Sequence, residues 1–215
     1  MKTIDLETWP RRSQYAFFRE LAQPHFSVCV DVDCTHLVES LKPAGVSPFN
    51  AVLWSLLAAA NDVPELRTRF RNDTVVEHAV VHASATVPIG DDAFAFCSLP
   101  YDEDWSRFNG SCQAAIEAAS QQDALAENTE GDGWLYLSCL PWFAFTAMTN
   151  PTRGADDCVP RITWGRFHTR DGRWRIPVAV QVHHALVDGL HLGRFFSGVN
   201  ERLANLGVPS PPKPE

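Results

Sequence analysis

The segment 47–61 is apolar on nearly every side of the helix that its residues favour. Ser47 followed by Pro48 fits an N-cap and a first helical turn. The run 51–60 contains a single polar side chain, Ser55, so no face of this helix is suited to contact with water. The run is also too short to cross a bilayer. We therefore expect a buried helix that the rest of the chain must surround.

Length and composition indicate one packed domain. The chain has 215 residues, of which 45% are apolar and 20% charged, a balance typical of a folded globular protein and unlike that of a disordered one. We predict a single domain over residues 1–206. The Pro-rich end, residues 207–215, is predicted to be a disordered tail.

The charge balance restricts the partners. The 26 acidic residues outnumber the 18 basic ones, and no Lys/Arg run follows the pattern of a phosphate-backbone site, so nucleic acid is not expected. An anionic ligand would need a local basic group. The N-terminal region lacks the apolar core of a signal peptide, which favours the cytoplasm and neither a membrane nor a secreted location. The six cysteines form no CxxC pair and are expected to be buried thiols.

Periodicity predicts alternating helices and strands. Helices are expected over residues 11–21, 35–45, 47–61, 105–119 and 190–206. Strands are expected over residues 25–32, 80–89, 93–98, 134–140, 161–168 and 173–182. Two pairs are separated by hairpin loops at residues 90–92 and 170–172, and the regular βαβ rhythm of a doubly wound fold is absent. This pattern predicts an α/β fold with a mixed, largely hairpin-linked sheet.

One predicted helix has a clear apolar face and is followed by a polar segment. The face is formed by Trp105, Phe108, Cys112, Ala115, Ile116 and Ala119, and acidic residues precede it. Residues 120–132 are predicted to be a surface loop.

Two adjacent histidines follow the last predicted strand, within the sequence HHALVDG at residues 183–189. Adjacent residues of a strand face opposite sides, so only one of His183 and His184 can enter a given pocket. A histidine can accept a proton from a hydroxyl group near neutral pH, as acyl transfer requires. From this motif alone, two structural histidines with Asp188 as a helix N-cap are the favoured interpretation.

Several ordered segments of the chain are similar to those of the chloramphenicol acetyltransferase family. HHALVDG followed by LHLGRF resembles the family signature. The other matches are WPRR (9–12) with WxRR, PELR (64–67) with a DELR-like turn, CSLPYDED (97–104) with SCPYSSD, LSCLPW (137–142) with ISALPW, and PRIT (160–163) with PIIT. HxxxDG also occurs in dihydrolipoyl acyltransferases and in peptide-synthetase condensation domains, and the latter are about twice as long.

The resemblance implies a two-layer αβ sandwich that forms a homotrimer, with active sites between subunits. It also implies acetyl-coenzyme A as a co-substrate and no metal. His184 would be the general base that activates the acceptor hydroxyl for direct attack on the thioester. Ser138 would stabilise the oxyanion, and Thr163 would hold an ordered water.

The resemblance assigns supporting roles as well. Asp188 would pair with Arg11 and hold the histidine-bearing turn. Contacts to coenzyme A would come from Trp142, Arg166 and Phe167, with Arg166 where a lysine is usual. Acceptor contacts would come from Phe18, Phe94, Phe96 and Tyr136. Phe18 stands where a tyrosine is common and Tyr136 where an asparagine is expected.

These departures leave more than one function open. The first hypothesis is an O-acetyltransferase acting on chloramphenicol, which inactivates the antibiotic. The alternatives are an acyltransferase of the same fold acting on another small alcohol, and a non-catalytic homologue that binds a hydrophobic ligand.

Overall fold

The computed structural model describes residues 1–122, 125 and 130–210. The helices and strands, in chain order, are β1 (Lys2–Ile4), α1 (Arg12–Arg19), β2 (His25–Asp33), a π-helical turn (Leu37–Leu41), α2 (Pro48–Asn61), a 3₁₀ turn (Pro64–Arg67), β3 (Thr68–Arg71), β4 (Thr74–Glu77), β5 (His82–Ile89), β6 (Ala93–Leu99), α3 (Trp105–Ser120), β7 (Trp134–Cys139), β8 (Arg161–Trp164), β9 (His168–Arg170), β10 (Arg173–His183) and α4 (Gly189–Asn205). The predicted surface loop 120–132 and the predicted tail 207–215 lie partly outside the described residues.

The apolar segment forms α2, the buried helix that was expected. The hydroxyl of Ser47 accepts a hydrogen bond from the backbone N–H of Asn50 (3.3 Å), which satisfies one of the free donors of the first turn. Leu53, Leu56 and Leu57 have no solvent exposure. The helix packs against α3 and α4. No helix among the described residues is long and apolar enough to cross a membrane.

The main sheet has seven strands and is mixed, as predicted. Its order is β2-β10-β8-β7-β5-β6, and β9 also pairs with β10. β5, β7 and β8 are parallel to one another, whereas β2, β8 and β9 run antiparallel to β10. The predicted hairpins are present as β5–β6 and β9–β10.

The two faces of this sheet have different surroundings. Along β7, Leu135 and Leu137 point into the core beneath the helices, so the alternate residues Tyr136 and Ser138 point to the opposite face. The segment after β7 crosses that opposite face, where the carbonyl of Met148 accepts a hydrogen bond from the Ser27 hydroxyl (2.7 Å). The helices therefore form one layer and the sheet the other, which is the two-layer arrangement expected.

The predicted strand 161–168 is interrupted. β8 ends at Trp164 and β9 begins at His168. Pro177 lies opposite Gly165 and has no N–H to offer the neighbouring strand. A Cβ on Gly165 would lie 2.8 Å from the Pro177 ring and 2.9 Å from the carbonyl oxygen of Phe143. The predicted strand is therefore broken between Trp164 and His168, where these groups crowd the backbone.

Other boundaries differ less. α1 ends at Arg19 rather than at residue 21, because the chain must be extended ahead of Pro24 to enter β2. Two residues of the predicted apolar face of α3, Ala115 and Ile116, are only partly buried. At the start of the predicted tail, the Trp105 indole of α3 donates a hydrogen bond to the carbonyl of Gly207 (3.0 Å).

A small sheet of order β1-β4-β3 was not predicted. Its edge strand β3 carries Arg69, which is fully buried although sequence patterns place this residue type on the surface. The Arg69 guanidinium donates to the carbonyls of Asp132 and Trp134, next to and within β7, and to those of Leu66 and Thr68. Burial lowers the pKa of Arg69, and the four carbonyls compensate for the lost water. This side chain therefore links the small sheet to the main sheet.

Replacing Arg69 should therefore destabilise the fold strongly. We expect Arg69→Met to lose about 3 kcal/mol or more of the free energy of unfolding, because it leaves buried carbonyls without donors. The matched control is Arg71→Met, two residues along the same strand, which removes a partly exposed ion pair with Asp132. That control should lose about 1 kcal/mol or less. Denaturant unfolding at one fixed protein concentration compares them, and equal losses would contradict the joining role of Arg69.

Candidate active site

The two histidines lie at the end of β10 and point to opposite faces of the sheet. His183 is paired with His25 of β2, and the backbone N–H of His184 donates to the carbonyl of Pro24 (2.9 Å). The His184 ring lies beside Phe26, on the face that carries the core residues of β2. The predicted division between the two histidines is therefore present in the structure.

His183 has the surroundings of a structural residue. It is buried, and its Nδ1 accepts a hydrogen bond from the backbone N–H of Ala185 (3.1 Å). Its Nε2 must then carry the proton, which it donates to the carbonyl of Ala155 (2.9 Å). Burial, with a smaller contribution from nearby His25, lowers the pKa of His183 to about 4. With both nitrogens engaged, this ring cannot accept a proton from a substrate.

His184 differs in each of these respects. Its ring is only partly buried and stacks on Phe18, with the ring centres 3.8 Å apart. Phe26 contacts it at 4.6 Å. Its Nδ1 lies 3.1 Å from the carbonyl oxygen of Val187, and a carbonyl can only accept, so Nδ1 carries the proton. An imidazole with this tautomer presents Nε2 as an unprotonated acceptor, the form that a general base requires.

Asp188 holds the turn that carries His184. Its Oδ2 accepts a hydrogen bond from Arg11 at 2.6 Å, which is the pair predicted from sequence. Its Oδ1 accepts from the backbone N–H of Leu190 (3.0 Å) and caps α4. Burial alone would raise the pKa of Asp188, but the Arg11 hydrogen bond and the other polar contacts lower it overall. The carboxylate thus serves both as ion-pair partner and as N-cap, which the sequence offered as alternatives.

His191 and Glu65 extend this network and were missed from sequence. The backbone N–H of Asp188 donates to Nδ1 of His191 (3.0 Å), so the proton of this neutral ring is on Nε2, which lies 3.4 Å from a carboxylate oxygen of Glu65. Burial lowers the pKa of His191 in spite of the two nearby carboxylates. Glu65 belongs to the PELR segment and His191 to the LHLGRF segment. The resemblance of these segments to the family was the only feature of the sequence that could have pointed to either residue.

A cavity of about 430 Å³ opens on the other face of the sheet. Four predicted site residues line it: Phe94, Phe96, Tyr136 and Ser138. Its other lining residues were not predicted; they are Ser84, Thr86, Leu137, Asn150, Pro151, Thr152, Arg153 and Arg161. The cavity therefore combines aromatic walls with several hydroxyl groups and one amide, the composition of a small-molecule site.

The predicted catalytic hydroxyls lie on this face in adjacent strands. Ser138 of β7 is in register with Thr163 of β8. The Ser138 hydroxyl lies 2.9 Å from that of Thr86 in β5. Thr163 is fully buried and donates to the side-chain oxygen of Asn150 (3.3 Å). Neither Thr86 nor Asn150 lies near Ser138 or Thr163 in sequence, so no local pattern could have connected them.

His184 and the hydroxyl cluster do not meet within one copy of the chain. Ala179 of β10 is in register with Thr163, and His184 lies five residues further along the same strand. At about 3.3 Å per residue the separation along the sheet is roughly 16 Å. His184 and Ser138 also lie on opposite faces of the sheet.

The predicted cofactor contacts lie on two neighbouring segments. Trp142 follows β7 and is exposed, and Arg166 follows β8 and is also exposed. The backbone N–H of Arg166 donates to the carbonyl of Phe143 (2.9 Å), which keeps the two segments side by side. Phe167 is partly buried and packs against the core. An aromatic ring and a cation are thus available together on the surface.

Comparison with known proteins gives consistent matches over most of the chain. A sequence model of the chloramphenicol acetyltransferase family matches residues 1–200. The chloramphenicol acetyltransferase of Streptomyces acrimycini is 31% identical over 207 residues, covering 94% of both chains. That of Bacillus pumilus is 30% identical over 198 residues, covering 90% of this chain and 89% of the relative.

Solved structures give the same result. A chloramphenicol acetyltransferase structure superimposes with a TM-score of 0.88 at 30% identity, covering 93% of this chain and 98% of that one. A probable dihydrolipoamide acetyltransferase from Listeria monocytogenes shares the fold, with a TM-score of 0.69 at 16% identity over 98% of this chain and 99% of that one.

The low pKa of His183 predicts a pH effect on stability. The folded state resists protonation of His183 down to about pH 4, whereas the unfolded chain takes up that proton near the ordinary value of 6.5. The contribution of neutral His183 to the free energy of unfolding is therefore complete above pH 6.5, and it is lost as the pH falls toward 4. Between pH 6.5 and about pH 5, the free energy of unfolding should fall by about 2 kcal/mol through this group.

The variant His183→Gln isolates this contribution, because an amide cannot titrate in this range. Denaturant unfolding at both pH values and one protein concentration should show a smaller pH-dependent loss for the variant than for the wild type. An identical loss in both proteins would mean that His183 is not the group that resists protonation.

Proposed function

The chain belongs to the chloramphenicol acetyltransferase family, and from this membership we propose that it transfers an acetyl group from acetyl-coenzyme A to a hydroxyl group of chloramphenicol. The product would be an acetylated, inactivated antibiotic. The reaction would take place in the cytoplasm, where acetyl-coenzyme A supplies the acetyl group as a thioester.

The observation that carries the proposal is the tautomer of His184. Its Nδ1–H donates to the carbonyl of Val187, so Nε2 is the nitrogen open to a substrate. Nε2 would accept the proton of the acceptor hydroxyl as its oxygen attacks the thioester carbonyl. The resulting imidazolium would return this proton to the departing thiolate. The base recovers its starting form in one cycle, with no acyl-enzyme.

Ser138 is suited to stabilise the oxyanion that develops on the carbonyl. A hydroxyl has one proton, so Ser138 can donate to the oxyanion only if Thr86 donates to Ser138 across their 2.9 Å contact. Thr163 gives its proton to Asn150, which leaves its oxygen able to accept from a water molecule. Thr86 and Asn150 would thus orient the two hydroxyls that the family resemblance assigns to catalysis.

Asp188 and Arg11 would position the base without touching the substrate. Both oxygens of the Asp188 carboxylate are occupied, by Arg11 and by the start of α4. The intervening turn is closed by the hydrogen bond from the Val187 N–H to the carbonyl of His183 (3.1 Å). Loss of either charge would leave the other partly buried and unpaired, and would shift His184.

We infer that the functional unit is a homotrimer with active sites between subunits. The separation of His184 from Ser138 within one chain supports this inference, because direct transfer needs the base and the oxyanion donor at one thioester. Closed rings of identical subunits bring different surfaces of two copies together at each interface. His184 of one subunit would then face the Ser138 cavity of its neighbour.

Coenzyme A is expected to bind beside the segments that carry Trp142 and Arg166. The chain has a net charge of -8, so a phosphate-bearing ligand needs a local cation. Arg166 is an exposed cation, and the Trp142 indole offers a flat surface for a purine ring. Phe167 would support this surface from below. The acceptor would lie among Phe94, Phe96 and Tyr136, with Phe18 against the base.

The proposal is tested by thiol release with purified protein, chloramphenicol and acetyl-coenzyme A. We expect His184→Ala to lower the rate by about 10² to 10⁴, because the proton acceptor is removed. The matched control is His168→Ala on β9, a histidine beside Asp31 (3.7 Å), which should keep the wild-type rate.

An analogue that lacks the acceptor hydroxyl should release no thiol, and a panel of other small alcohols tests the alternative acceptors. Thiol release at the wild-type rate by His184→Ala would exclude His184 as the base.

Mixing two inactive variants tests the shared site. His184→Ala and Ser138→Ala, co-expressed in equal amounts, should recover about a quarter of the wild-type activity, because each interface draws its histidine and its serine from different subunits. The separately purified variants, mixed without reassembly, are the control and should stay inactive. No recovery in proven mixed trimers would contradict the intersubunit site.

A further inference from the structure

The cavity that holds Ser138 also contains a buried ion pair. Arg161, in the PRIT segment, is 7% exposed and lines the cavity. Asp157 accepts hydrogen bonds from both terminal nitrogens of Arg161, at 3.1 Å for the Nη1–Oδ1 contact. Burial alone would raise the pKa of Asp157, but the Arg161 hydrogen bonds lower it overall. The Asp157 carboxylate is therefore ionised beside the Arg161 guanidinium at neutral pH.

A buried ion pair of this kind adds little net stability to a protein. An apolar residue of similar volume is commonly as stabilising or more so, because the desolvation of two charges offsets most of their attraction. Asp157 also accepts hydrogen bonds from the backbone N–H groups of Arg153 (2.9 Å) and Val159 (3.3 Å). These bonds hold the backbone of this loop, which explains why a carboxylate is present here. These contacts do not account for a guanidinium that lines a cavity.

The guanidinium retains donors beyond those that hold it in place. It carries five N–H groups. Three are used within the described residues, two by Asp157 and one by the carbonyl of Val159 (2.8 Å). The remaining two, on Nε and on the Nε side of Nη2, are parallel. This edge has the fork geometry that binds two oxygen atoms of one planar group.

The rest of the cavity fits a ring between this fork and the hydroxyl cluster. Arg161 and Tyr136 are in register on adjacent strands, and the guanidinium lies 5.4 Å from the Tyr136 ring centre. Ser138 and Thr163 lie two residues further along the same strands, about 7 Å away. That span is close to the length of a para-substituted benzene ring, and Phe94 and Phe96 provide apolar walls.

We propose that Arg161 is a specificity-determining residue that binds a planar two-oxygen substituent, a nitro or carboxylate group, at the ring end of an aryl alcohol acceptor. The proposal rests on the acyltransferase function, and names the feature of the acceptor that the cavity selects. The nitrophenyl ring of chloramphenicol has this feature. A carboxylate in the same place would add charge to the same pair of hydrogen bonds.

The test compares three acceptors that differ only at the para position: chloramphenicol, its carboxylate analogue and its unsubstituted phenyl analogue. In the wild type we expect kcat/KM for the nitro and carboxylate compounds to exceed that of the phenyl compound at least tenfold, because the phenyl compound leaves buried donors unpaired. The measured quantity is the ratio of the kcat/KM values of two acceptors. A general loss of activity lowers both values equally and leaves this ratio unchanged.

Two variants then assign the ratio to Arg161. Arg161→Lys keeps the charge beside Asp157 but lacks the fork, and Arg161→Leu with Asp157→Asn removes the pair together. Both should reduce the preference to within about threefold. Arg170→Lys, which changes an exposed cation paired with Asp31 (3.0 Å) outside the cavity, is the matched control and should keep the wild-type ratio.

The outcomes separate this inference from the proposed function. A wild-type ratio near one, or a ratio unchanged by Arg161→Lys, would overturn the inference while turnover itself upholds the acyltransferase function. If no acceptor is acetylated, the acyltransferase function fails, and calorimetric dissociation constants for the same three compounds decide the selectivity of the cavity. If the double variant does not fold, Arg161→Lys alone gives the answer.

Discussion

The carboxylate of Asp188 is the contact on which the candidate site depends most. One oxygen caps α4 and the other pairs with Arg11 ahead of α1, so two helices and the turn after β10 share a single group. This turn determines where the carbonyl of Val187 lies, and that carbonyl selects the tautomer of His184. The position and tautomer of His184 thus depend on a series of contacts that begins at the Arg11–Asp188 ion pair.

Burial separates the chemistry of two adjacent histidines. His183 faces a desolvated region whose carbonyl and N–H groups use both of its nitrogens, and it remains neutral. His184 lies on the other side of the strand, where aromatic rings hold the ring plane but leave Nε2 open. Strand alternation makes this division possible, because neighbouring residues on a strand cannot share one environment.

The sequence predicted the parts of this structure that depend on local patterns. The cap at Ser47, the buried helix α2 and the β5–β6 hairpin follow from residue types at fixed spacing. The small sheet did not, because its stability comes from Arg69, whose partners lie as far away as Trp134. In the site, Arg11 and Asp188 were found through family motifs, whereas Thr86 and Asn150 are defined only by contacts between separate segments of the chain.

The distribution of charge explains why a few arginines matter in this acidic chain. Among those partly or wholly withdrawn from water, three have different roles. Arg69 joins two sheets, Arg11 holds the turn and Arg161 lines the cavity. The first two are paired with groups that fix backbone position. Arg161 is also paired, yet it lines the cavity and keeps two N–H groups unused within the described residues. A buried cation with unused, preorganised donors favours a ligand that supplies matching acceptors and penalises one that does not. Selectivity for the acceptor would then arise at the end of the cavity that is opposite to the reacting groups. Evolution could therefore change the acceptor without substituting His184, Ser138 or the residues of the turn that positions His184.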